Sequence, residues 1–496
     1  KYLNEYLKDF SYFGIYSADE SFSGEKEDAT RFLQYCENKE VNAVIVDDYR
    51  FSIIWEQVIT KLECPVIVID DQDKNSHQCN LLIDSSWEGD KTLQRYHGKV
   101  ADYTTRLLGP RYLLIDEVFG SDAKLHRSTS QEDKKIRLLL SLGGGGDLSF
   151  LVSLMKQLIN NSVDGVSYQL ATVIGPYASN KEQLLEFSNQ YDEVELITGQ
   201  DGLFDEMSKT DLYIGTSGGT LFESLALRIP SLTFSISENQ QNEHSNFEDL
   251  GHYFHLNELV ENNFSDFTKL IWAMVSQYDR VYKLYQQSVP FQIDGKGVKR
   301  VSKAIQSVLH GESILPLETI SKEKHSDIKK GYQLSQIDDS AVNRYLNARN
   351  LKINLDKMID KSPIKPLNHY LWWLEENRRT SYVLEKNGEE LLFTWHQLQK
   401  VEHTNVIISG WFVCNERCGA MDAIHAITEH SLIIDYLFPG ISWIIVMRKD
   451  NRFMQQFNQR LGFVRVDKES AMENVVKMCF PKADSENFFY YVRRTE

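Results

Sequence analysis

Residues 211–240, DLYIGTSGGTLFESLALRIPSLTFSISENQ, hold two short apolar runs joined by a helical pattern. The first run ends at Gly215, and the second covers residues 231–234. Short continuous apolar runs are typical of strands that are buried on both faces of a parallel sheet. A strand, a helix and a second strand in this order form a βαβ unit, so the stretch predicts an open α/β sheet.

Small residues between the first strand and the helix predict a site for a diphosphate. They are Ser217, Gly218, Gly219 and Thr220. Unpaired backbone N–H groups and the positive end of the helix dipole bind anions at a helix N-terminus. Glu223 lies one turn into the helix, where its carboxylate can accept hydrogen bonds from ribose hydroxyls. The alternative is that Ser217 or Thr220 only caps the helix and that Glu223 faces solvent.

Two further stretches place glycine or amide residues directly after predicted strands. Gly144 and Gly145 follow the apolar run 136–142, and without Cβ atoms their backbone N–H groups can approach a phosphate. Asn239 and Gln240 follow another strand, at the edge of the sheet where α/β proteins bind ligands. Amides there can hold the hydroxyl and N-acetyl groups of a sugar. The alternatives are a tight turn for the glycines and an ordinary polar loop for the amides.

The whole chain has 496 residues and a net charge of −17, with 42% apolar and 25% charged residues. This composition is ordinary for a globular protein and excludes a wholly disordered chain. The acidic balance predicts no nucleic-acid partner, because nucleic acids need a basic surface. No uncharged apolar run approaches the roughly 18 residues of a membrane span. We therefore expect no membrane span and a cytoplasmic location.

Six cysteines are spread along the chain, which suits a reducing compartment better than a disulfide framework. Cys414 and Cys418 could form half of a metal site, but no second pair follows at ligand spacing. We therefore expect no metal ion.

Repeated strand and helix patterns divide the chain into four parts. Residues 1–127 and 128–310 both alternate short apolar strands with helices, and two consecutive Rossmann-type domains are the plan of the GT-B fold. The polar, irregular residues 311–335 predict a linker. Residues 336–496 mix strands and helices and predict a separate α+β domain. The expected fold class is therefore α/β, with a GT-B-like pair followed by an α+β domain.

The stretch 211–240 resembles the C-terminal half of two related GT-B families. One is the glycosyltransferase that adds N-acetylglucosamine to lipid I, and the other is the UDP-sugar hydrolase of pseudaminic acid biosynthesis. Three N-terminal stretches favour the hydrolase: residues 44–49 (VIVDDY), 69–84 (IDDQDKNSHQCNLLID) and 108–119 (LGPRYLLIDEVF). Their order and spacing extend the resemblance over most of the two α/β parts.

The resemblance to the hydrolase implies a reaction and a set of ligand contacts. That family cleaves the anomeric C–O bond of UDP-2,4-diacetamido-2,4,6-trideoxy-β-L-altropyranose without a cofactor. It releases UDP and a free sugar that goes on to a nonulosonic acid. Tyr49 and Asn239 would face the sugar. The implied UDP contacts are Ser217, Gly218, Gly219, Thr220 and Glu223.

The family's opening strand and its G-x-G-H-x-x-R motif have no counterpart in this sequence. Residues 1–35 resemble the region just after that motif, so we expect either an N-terminal truncation or a degenerate hydrolase. The candidates for catalysis are chosen by their chemistry and are Tyr49, His77, Asp48, Asp70 and Asp71. The alternatives are a surface or supporting histidine, and acids that accept structural hydrogen bonds.

The C-terminal part resembles the GNAT-fold N-acetyltransferases. Residues 344–373 resemble the opening of that fold, and residues 451–463 (NRFMQQFNQRLGF) resemble its last helix and the ending of that helix. Between them, the predicted strand 406–413 leads through a loop into a long predicted helix, 420–436. In that family the loop binds the pyrophosphate of acetyl-CoA through backbone N–H groups. The implied acetyl-CoA contacts are Arg417, Gly419, Ala420 and Asn451.

This loop matches the family pattern only loosely, so the alternative is a GNAT-like domain that has lost acetyl-CoA binding. Family members often carry a tyrosine general acid on the last helix, where this chain has Phe453 and Phe457. A carboxylate or water would then take the amine proton, with Glu416 and His425 as candidates.

Three functions agree with these patterns. The first is a bifunctional enzyme that combines a UDP-sugar hydrolase with an N-acetyltransferase, because acetylation of a UDP-4-amino sugar precedes hydrolysis in the pathway implied by the resemblance. The second is a UDP-sugar-dependent glycosyltransferase, which would need an acceptor to release UDP. The third is a non-catalytic UDP-sugar-binding protein.

Overall fold

The computed structural model describes residues 24–120, 135–198, 202–236, 240–241, 244–312, 331–375 and 379–495. These residues form two compact units. The first unit contains residues 24–120 together with residues 293–312, and the second contains the other described residues. Within the described ranges, no helix is both long enough and apolar enough to cross a membrane.

The first unit is built on a four-stranded parallel sheet in the order β1-β2-β3-β4. The strands are β1 (Val44–Val46), β2 (Val66–Ile69), β3 (Leu81–Asp84) and β4 (Thr105–Leu108). Two helices, α1 (Glu25–Cys36) and α2 (Ile53–Ile59), pack together beside it. The Trp55 indole joins them by donating to the Asp28 carboxylate at 2.9 Å.

A third helix of this unit comes from a distant part of the chain. Helix α10 (Gly297–Leu309) packs its buried Val301 and Ala304 against the core formed by β2, β3 and β4. Its start lies so close to Leu113 that a Cβ on Gly297 would come within 2.0 Å of the Leu113 carbonyl oxygen. The sequence analysis grouped this helix with residues 128–310, whereas the structure packs it on the first unit.

The second unit contains a six-stranded parallel sheet in the order β12-β11-β10-β5-β7-β9. Its strands are β5 (Ile136–Ser141), β7 (Tyr168–Val173), β9 (Val194–Ile197), β10 (Leu212–Thr216), β11 (Ser231–Phe234) and β12 (Phe254–Leu256). The chain starts in the middle, proceeds to one edge and then returns to build the other half. The order therefore reverses between β5 and β10, as in doubly wound Rossmann-type sheets.

Helices follow most of these strands and cover the sheet. They are α3 (Leu148–Asn160), α4 (Lys181–Ser188), α5 (Phe204–Ser208), α6 (Gly219–Ala226), α7 (His244–Glu248), α8 (Phe264–Ser276) and α9 (Tyr278–Tyr285). Two short strands, β6 (Gly145–Asp147) and β8 (Tyr177–Ser179), pair separately in the loops.

A seven-stranded mixed sheet forms the C-terminal domain of the second unit, in the order β13-β14-β15-β16-β17-β19-β18. The strands are β13 (Tyr332–Gln336), β14 (Thr380–Lys386), β15 (Glu389–Val401), β16 (Thr404–Val413), β17 (Ser442–Arg448), β18 (Val464–Arg465) and β19 (Phe488–Arg494). All neighbouring pairs are antiparallel except β16 and β17, which are parallel. Strand β13 lies partly within residues 311–335, for which the sequence predicted a linker.

Six helices accompany this sheet. They are α11 (Val342–Arg349), α12 (Lys352–Leu355), α13 (Pro366–Trp373), α14 (Ala420–Leu437), α15 (Arg452–Arg460) and α16 (Ala471–Cys479). The order of strands and helices is that of the GNAT-like α+β domain expected from the sequence. The predicted fold class, a GT-B-like pair of Rossmann-type sheets followed by a GNAT-like domain, is confirmed.

The six-stranded domain and the GNAT-like domain share a buried polar interface within the second unit. The carboxylate of Glu248 accepts from the Asn343 backbone N–H at 2.8 Å and from the Arg344 guanidinium at 2.9 Å. The Tyr370 hydroxyl donates to the backbone oxygen of His255 at 3.1 Å. Burial raises the pKa of Glu248 to about 7, although the Arg344 charge opposes the shift.

Candidate functional site

The two glycine-containing loops predicted to bind a nucleotide meet at the point where the strand order reverses. Strands β5 and β10 are neighbours, with Gly215 opposite Ser141, so the loops that follow them leave the same edge of the sheet. A Cβ on Gly143 would lie 3.8 Å from the Thr216 hydroxyl oxygen. Ligands of open α/β sheets bind at this reversal point.

Helix α6 begins at this point with backbone N–H groups that no side chain caps. The residue before the helix is Gly218, and it offers no side-chain hydrogen bond to the first turn. The alternative that Ser217 caps the helix does not fit, because its hydroxyl donates instead to the backbone oxygen of Gln240 at 2.8 Å. Free N–H groups at a helix N-terminus favour an anion.

Space is available in front of these groups. A Cβ added to Gly144, Gly218 or Gly219 would find no atom within 4 Å. Gly144 and Gly219 are also exposed. Gly145 lies in the short strand β6, beside Tyr177. The glycine surface is therefore open to a ligand of the size of a diphosphate.

Thr220 and Glu223 lie on the first turns of α6, beside the buried Tyr213. The Tyr213 hydroxyl donates to the Thr216 backbone oxygen at 3.0 Å and is also hydrogen-bonded to the Thr220 side chain. Burial raises the pKa of Tyr213, and the Glu223 charge raises it further. Glu223 is half-buried, so the alternative of a fully solvated carboxylate does not fit.

Gln240 closes the loop after β11 by bonds of its own. Its backbone oxygen accepts from the Ser217 and Ser235 hydroxyls at 2.8 and 2.9 Å, and its side-chain oxygen accepts from the Ile236 N–H at 3.0 Å. Its side-chain NH₂ group can donate hydrogen bonds to a sugar. Asn239 lies outside the described residues.

A buried histidine pair beneath this loop was not found by the sequence analysis. The Thr233 hydroxyl is hydrogen-bonded to His252 at 2.7 Å and to His255 at 2.8 Å. His255 also lies 3.3 Å from the Ser235 hydroxyl. These bonds connect the loop to the interface at Tyr370. The sequence signal for them was one histidine two residues before the short strand β12 and a second one within it.

A cluster of acids lies at the carboxyl edge of the first unit's sheet. Asp47, Asp48 and Tyr49 follow β1, and Asp71 follows the neighbouring β2. Burial of the half-exposed Tyr49 raises its pKa, and a hydrogen bond to Asp71 adds to the effect. Burial also raises the pKa of Asp47, with further contributions from the charges of Asp71 and Asp48. Asp47, which was not among the candidates chosen from the sequence, therefore has a raised pKa, as does Asp84 at the end of β3.

Asp48 has a different environment from its neighbours. Its carboxylate is paired with the Arg50 guanidinium at 2.5 Å, and this bond is the main reason why its pKa is lowered. A carboxylate with a lowered pKa is a weak base. The predicted catalytic role of Asp48 is therefore poorly supported by its surroundings.

His77 does not fit the predicted role of a general base. It is buried, with one ring nitrogen 2.6 Å from the Glu56 carboxylate and the other 3.2 Å from the Asp70 carboxylate. Burial lowers its pKa, but the bonds to Asp70 and Glu56 outweigh burial and raise the pKa to about 9. The ring is thus protonated at neutral pH and has no lone pair for a substrate proton.

The Glu56–His77–Asp70 group instead holds the loop that carries Asp71. Asp70 accepts from the Gln72 N–H at 3.0 Å, and its backbone oxygen accepts from the Tyr96 hydroxyl at 2.7 Å. Glu56 is fully buried and also accepts from the Gln78 N–H. We assign this group a positioning role.

In the GNAT-like domain, β16 and β17 run together for only a short distance. Their pairing ends at Ile408 and Ile444, although the strands continue to Val413 and Arg448. Beyond this point they have no pairing with each other, so the sheet opens between them. The residues after β16 then lead into the N-terminus of α14.

The N-terminus of α14, where acetyl-CoA was expected, already holds a carboxylate. The Gly419 N–H donates to Asp422 at 2.7 Å. Asp422 also accepts from the Tyr332 hydroxyl at 2.6 Å and from the Lys386 ammonium at 3.2 Å. The Tyr332 bond is the largest cause of its lowered pKa. A negative charge at this position opposes the binding of a second anion.

The other predicted acetyl-CoA contacts are also engaged or exposed. Arg417 is exposed and pairs with Glu389 at 2.7 Å, and Ala420 is exposed as the first residue of α14. Asn451 caps α15 by accepting from the Met454 N–H at 3.3 Å.

The remaining candidates of this domain have ordinary surroundings. His425 stacks on Tyr332, with ring centroids 4.3 Å apart, and Glu416 is exposed. Burial raises the pKa of both Cys414 and Cys418, the latter to about 11, so both thiols stay protonated. Among the described residues, no group of three or more His, Cys, Asp or Glu is placed to hold a metal ion.

Comparison with known proteins gives distant relatives. No family model matches the chain. An uncharacterised protein of Methanocaldococcus jannaschii is 23% identical over 385 residues, which cover 76% of this chain and 71% of that protein. The spore coat polysaccharide biosynthesis protein SpsG of Bacillus subtilis is 24% identical over 265 residues, which cover 52% of this chain and 74% of SpsG.

Solved structures resemble the two parts of the chain separately. MurG of Acinetobacter baumannii is 12% identical, with a TM-score of 0.40, over 61% of this chain and 88% of its own. An N-acetyltransferase of Staphylococcus aureus is 11% identical, with a TM-score of 0.26, over 34% of this chain and 100% of its own. The fold assignment rests on the strand orders described above.

Proposed function

We propose that the chain binds a UDP-sugar and hydrolyses it, releasing UDP and a 2,4-diacetamido-trideoxyhexose for nonulosonic acid biosynthesis. One observation carries this proposal: the uncapped N-terminus of α6 meets an open glycine loop where the strand order reverses. The similarity to SpsG, a protein named for polysaccharide biosynthesis, also supports a role with activated sugars.

In the proposed reaction, water attacks the anomeric carbon while the C–O bond to the diphosphate breaks. UDP leaves with the electron pair of that bond, and one proton of the water passes to a base. Asp47 is better suited to accept this proton than His77, because a carboxylate with a raised pKa is a stronger base and the His77 ring is already protonated. The glycine loop and the N–H groups of α6 would hold the diphosphate.

Replacing Asp71 by Asn tests the role of this acid cluster. The change keeps the size of the side chain and one oxygen that can accept the Tyr49 bond, but removes the negative charge. We expect kcat for UDP release to fall by about 10²- to 10⁴-fold, measured by chromatography of UDP. Asp48→Asn is the matched control, with a smaller expected effect because Arg50 already neutralises that carboxylate. Full activity of Asp71→Asn would contradict the role.

N-acetyl transfer by the GNAT-like domain is the second candidate function. The opening between β16 and β17 favours it, because separated parallel strands expose backbone groups that an extended ligand can bind. We propose acetyl-CoA as the ligand of this opening. The charge of Asp422 at the start of α14 would keep the affinity low.

A further inference from the structure

Two arginines of the GNAT-like domain form no ion pair with an acid among the residues that the structure describes. Arg349 ends α11, and Arg379 precedes β14. The Nη1 atom of Arg349 is buried without a hydrogen-bond partner. Its Nη2 atom makes one long bond, at 3.4 Å, to the backbone oxygen of Asp360. The Asp360 carboxylate is itself bound by Lys482 at 2.6 Å.

The charges of the two arginines act on each other. Burial lowers the pKa of Arg349, and the positive charge of Arg379 lowers it further, although the charges of Tyr345 and Asp360 oppose the shift. A partly buried cation beside a second cation is unfavourable unless an anion accompanies them. A purely structural role does not account for this pair, since neither guanidinium ties two elements together by an ion pair.

Two aromatic rings lie beside Arg379. The Arg379 guanidinium stands 3.6 Å from the ring centroid of Trp395 and 5.9 Å from that of Trp372. A guanidinium stacked on an indole keeps the N–H donors along its edge available. This edge matches the oxygens of a phosphate in a two-pronged arrangement.

The same group lies close to the opening of the sheet. The Trp395 indole covers Gly410 of β16, where a Cβ would meet the ring at 2.7 Å. Gly410 comes two residues after Ile408, the last residue of β16 that pairs with β17. A ligand held by the arginines would therefore lie near the part of the domain proposed to bind acetyl-CoA.

We propose that Arg349, Arg379 and Trp395, with Trp372 at their side, form a binding site for a phosphorylated sugar. The guanidinium groups bind the phosphate oxygens, and the partly exposed Trp372 ring contacts a ring of the ligand. The inference rests on the proposed function in one respect: the phosphorylated sugar is taken to be the amino-sugar nucleotide that the domain would acetylate. The chain then has two separate sites for sugar nucleotides, one at α6 and one here.

Calorimetric titration of the full chain with UDP-N-acetylglucosamine tests this site. The wild-type chain should bind two molecules. The double variant Arg349→Met with Arg379→Met should bind one, or bind the second at least about 10- to 100-fold more weakly, because it loses charged hydrogen bonds. Its Tm should be unchanged or higher, since a buried cation without a partner is removed. Arg460→Met, an exposed arginine of α15, is the matched control and should bind as the wild type does.

A second variant separates this site from the proposed function. Gly218→Val should remove the α6 site and leave the arginine site intact. If Gly218→Val changes nothing while the double variant loses a site, the proposed UDP site fails and the arginine site stands. The arginine site is overturned if the double variant binds two molecules with unchanged affinity. It is also overturned if the Tm of this variant falls by several degrees while both sites still bind. Arg379→Lys should bind more weakly than the wild type, because it keeps the charge but not the two-pronged edge.

Discussion

His77 is held between two buried carboxylates, and this arrangement has a consequence for stability. Its pKa in the folded chain is about 9, against 6.5 for an ordinary histidine. Because the pKa is higher in the folded chain, the charged ring stabilises the fold. This stabilisation is complete below pH 6.5 and is lost as the pH rises through 9. The difference corresponds to roughly 3 kcal/mol at most.

We therefore expect the free energy of unfolding of the first unit to fall between pH 6.5 and pH 9. Urea unfolding followed by the fluorescence of Trp55, which lies in the same unit, measures it. His77→Gln should flatten this pH dependence, whereas His97→Gln, an exposed histidine of the same unit, should leave it unchanged. An identical slope in wild type and His77→Gln would show that the ring is not charged.

The negative charge of Asp422 opposes the binding of an anion at the N-terminus of α14. Asp422→Asn keeps an oxygen for the Gly419 N–H but removes the negative charge. We expect the affinity for acetyl-CoA to rise by about tenfold, since a charge at a helix N-terminus contributes up to ~2 kcal/mol. Calorimetry of the full chain measures it.

Glu429→Gln serves as the control for Asp422→Asn, because it removes an exposed charge from the same helix away from its start. Its affinity for acetyl-CoA should equal that of the wild type. If neither variant binds acetyl-CoA, the domain has lost the ability to bind it.

The sequence indicated some of these residues but not their partners. The small residues of the α6 loop were found because they follow a buried strand directly. Glu56 was missed, because only the folded chain brings it to His77 from 21 positions away. Asp422 was missed although it stands three residues after Gly419, the spacing of a capping acid at a helix start.

At the scale of elements, the first turn of α6 is the feature on which nucleotide binding depends. Gly218 has an extended backbone (φ −91°, ψ −155°), which a β-branched residue can adopt without strain. A valine side chain there would fill the open space in front of the N–H groups.

We expect Gly218→Val to weaken UDP binding by at least about 100-fold, because two or more charged hydrogen bonds are blocked. Calorimetry with UDP measures this change. The Tm should stay within a few degrees of the wild-type value, which separates a blocked site from an unfolded one. Normal UDP binding by this variant would show that the diphosphate does not bind at the start of α6.

Buried strands were the elements that the sequence predicted best. Strands β5, β10 and β11 lie close to the predicted runs, since continuous apolar residues leave few alternatives. Strand β13 (YQLSQ) is polar and partly exposed, and only its pairing with β14 makes it a strand. The position of helix α10 depends on contacts with residues of β3, which lie far away in the sequence.

At the scale of the whole molecule, the six-stranded domain and the GNAT-like domain belong to one compact unit. Arg280 binds the Asp339 carboxylate through two nitrogens, at 2.7 and 2.8 Å, beside the Glu248 network. A predicted linker suggested two independent domains, and sequence patterns carry no signal for such long-range ion pairs. The hydrogen bonds from Ser235 through His255 to Tyr370 connect the proposed UDP site to this interface.

Release of UDP from a UDP-sugar without an acceptor would distinguish the proposed hydrolase from a transferase and from a binding protein. The most direct test is phosphorus NMR of the full chain with UDP-2,4-diacetamido-2,4,6-trideoxy-β-L-altropyranose and no acceptor. We predict that the two phosphorus signals of the UDP-sugar are replaced by those of free UDP, at a rate proportional to the protein concentration. A substrate that remains intact, while calorimetry shows that it is bound, would contradict hydrolysis and leave a binding protein or an acceptor-dependent transferase.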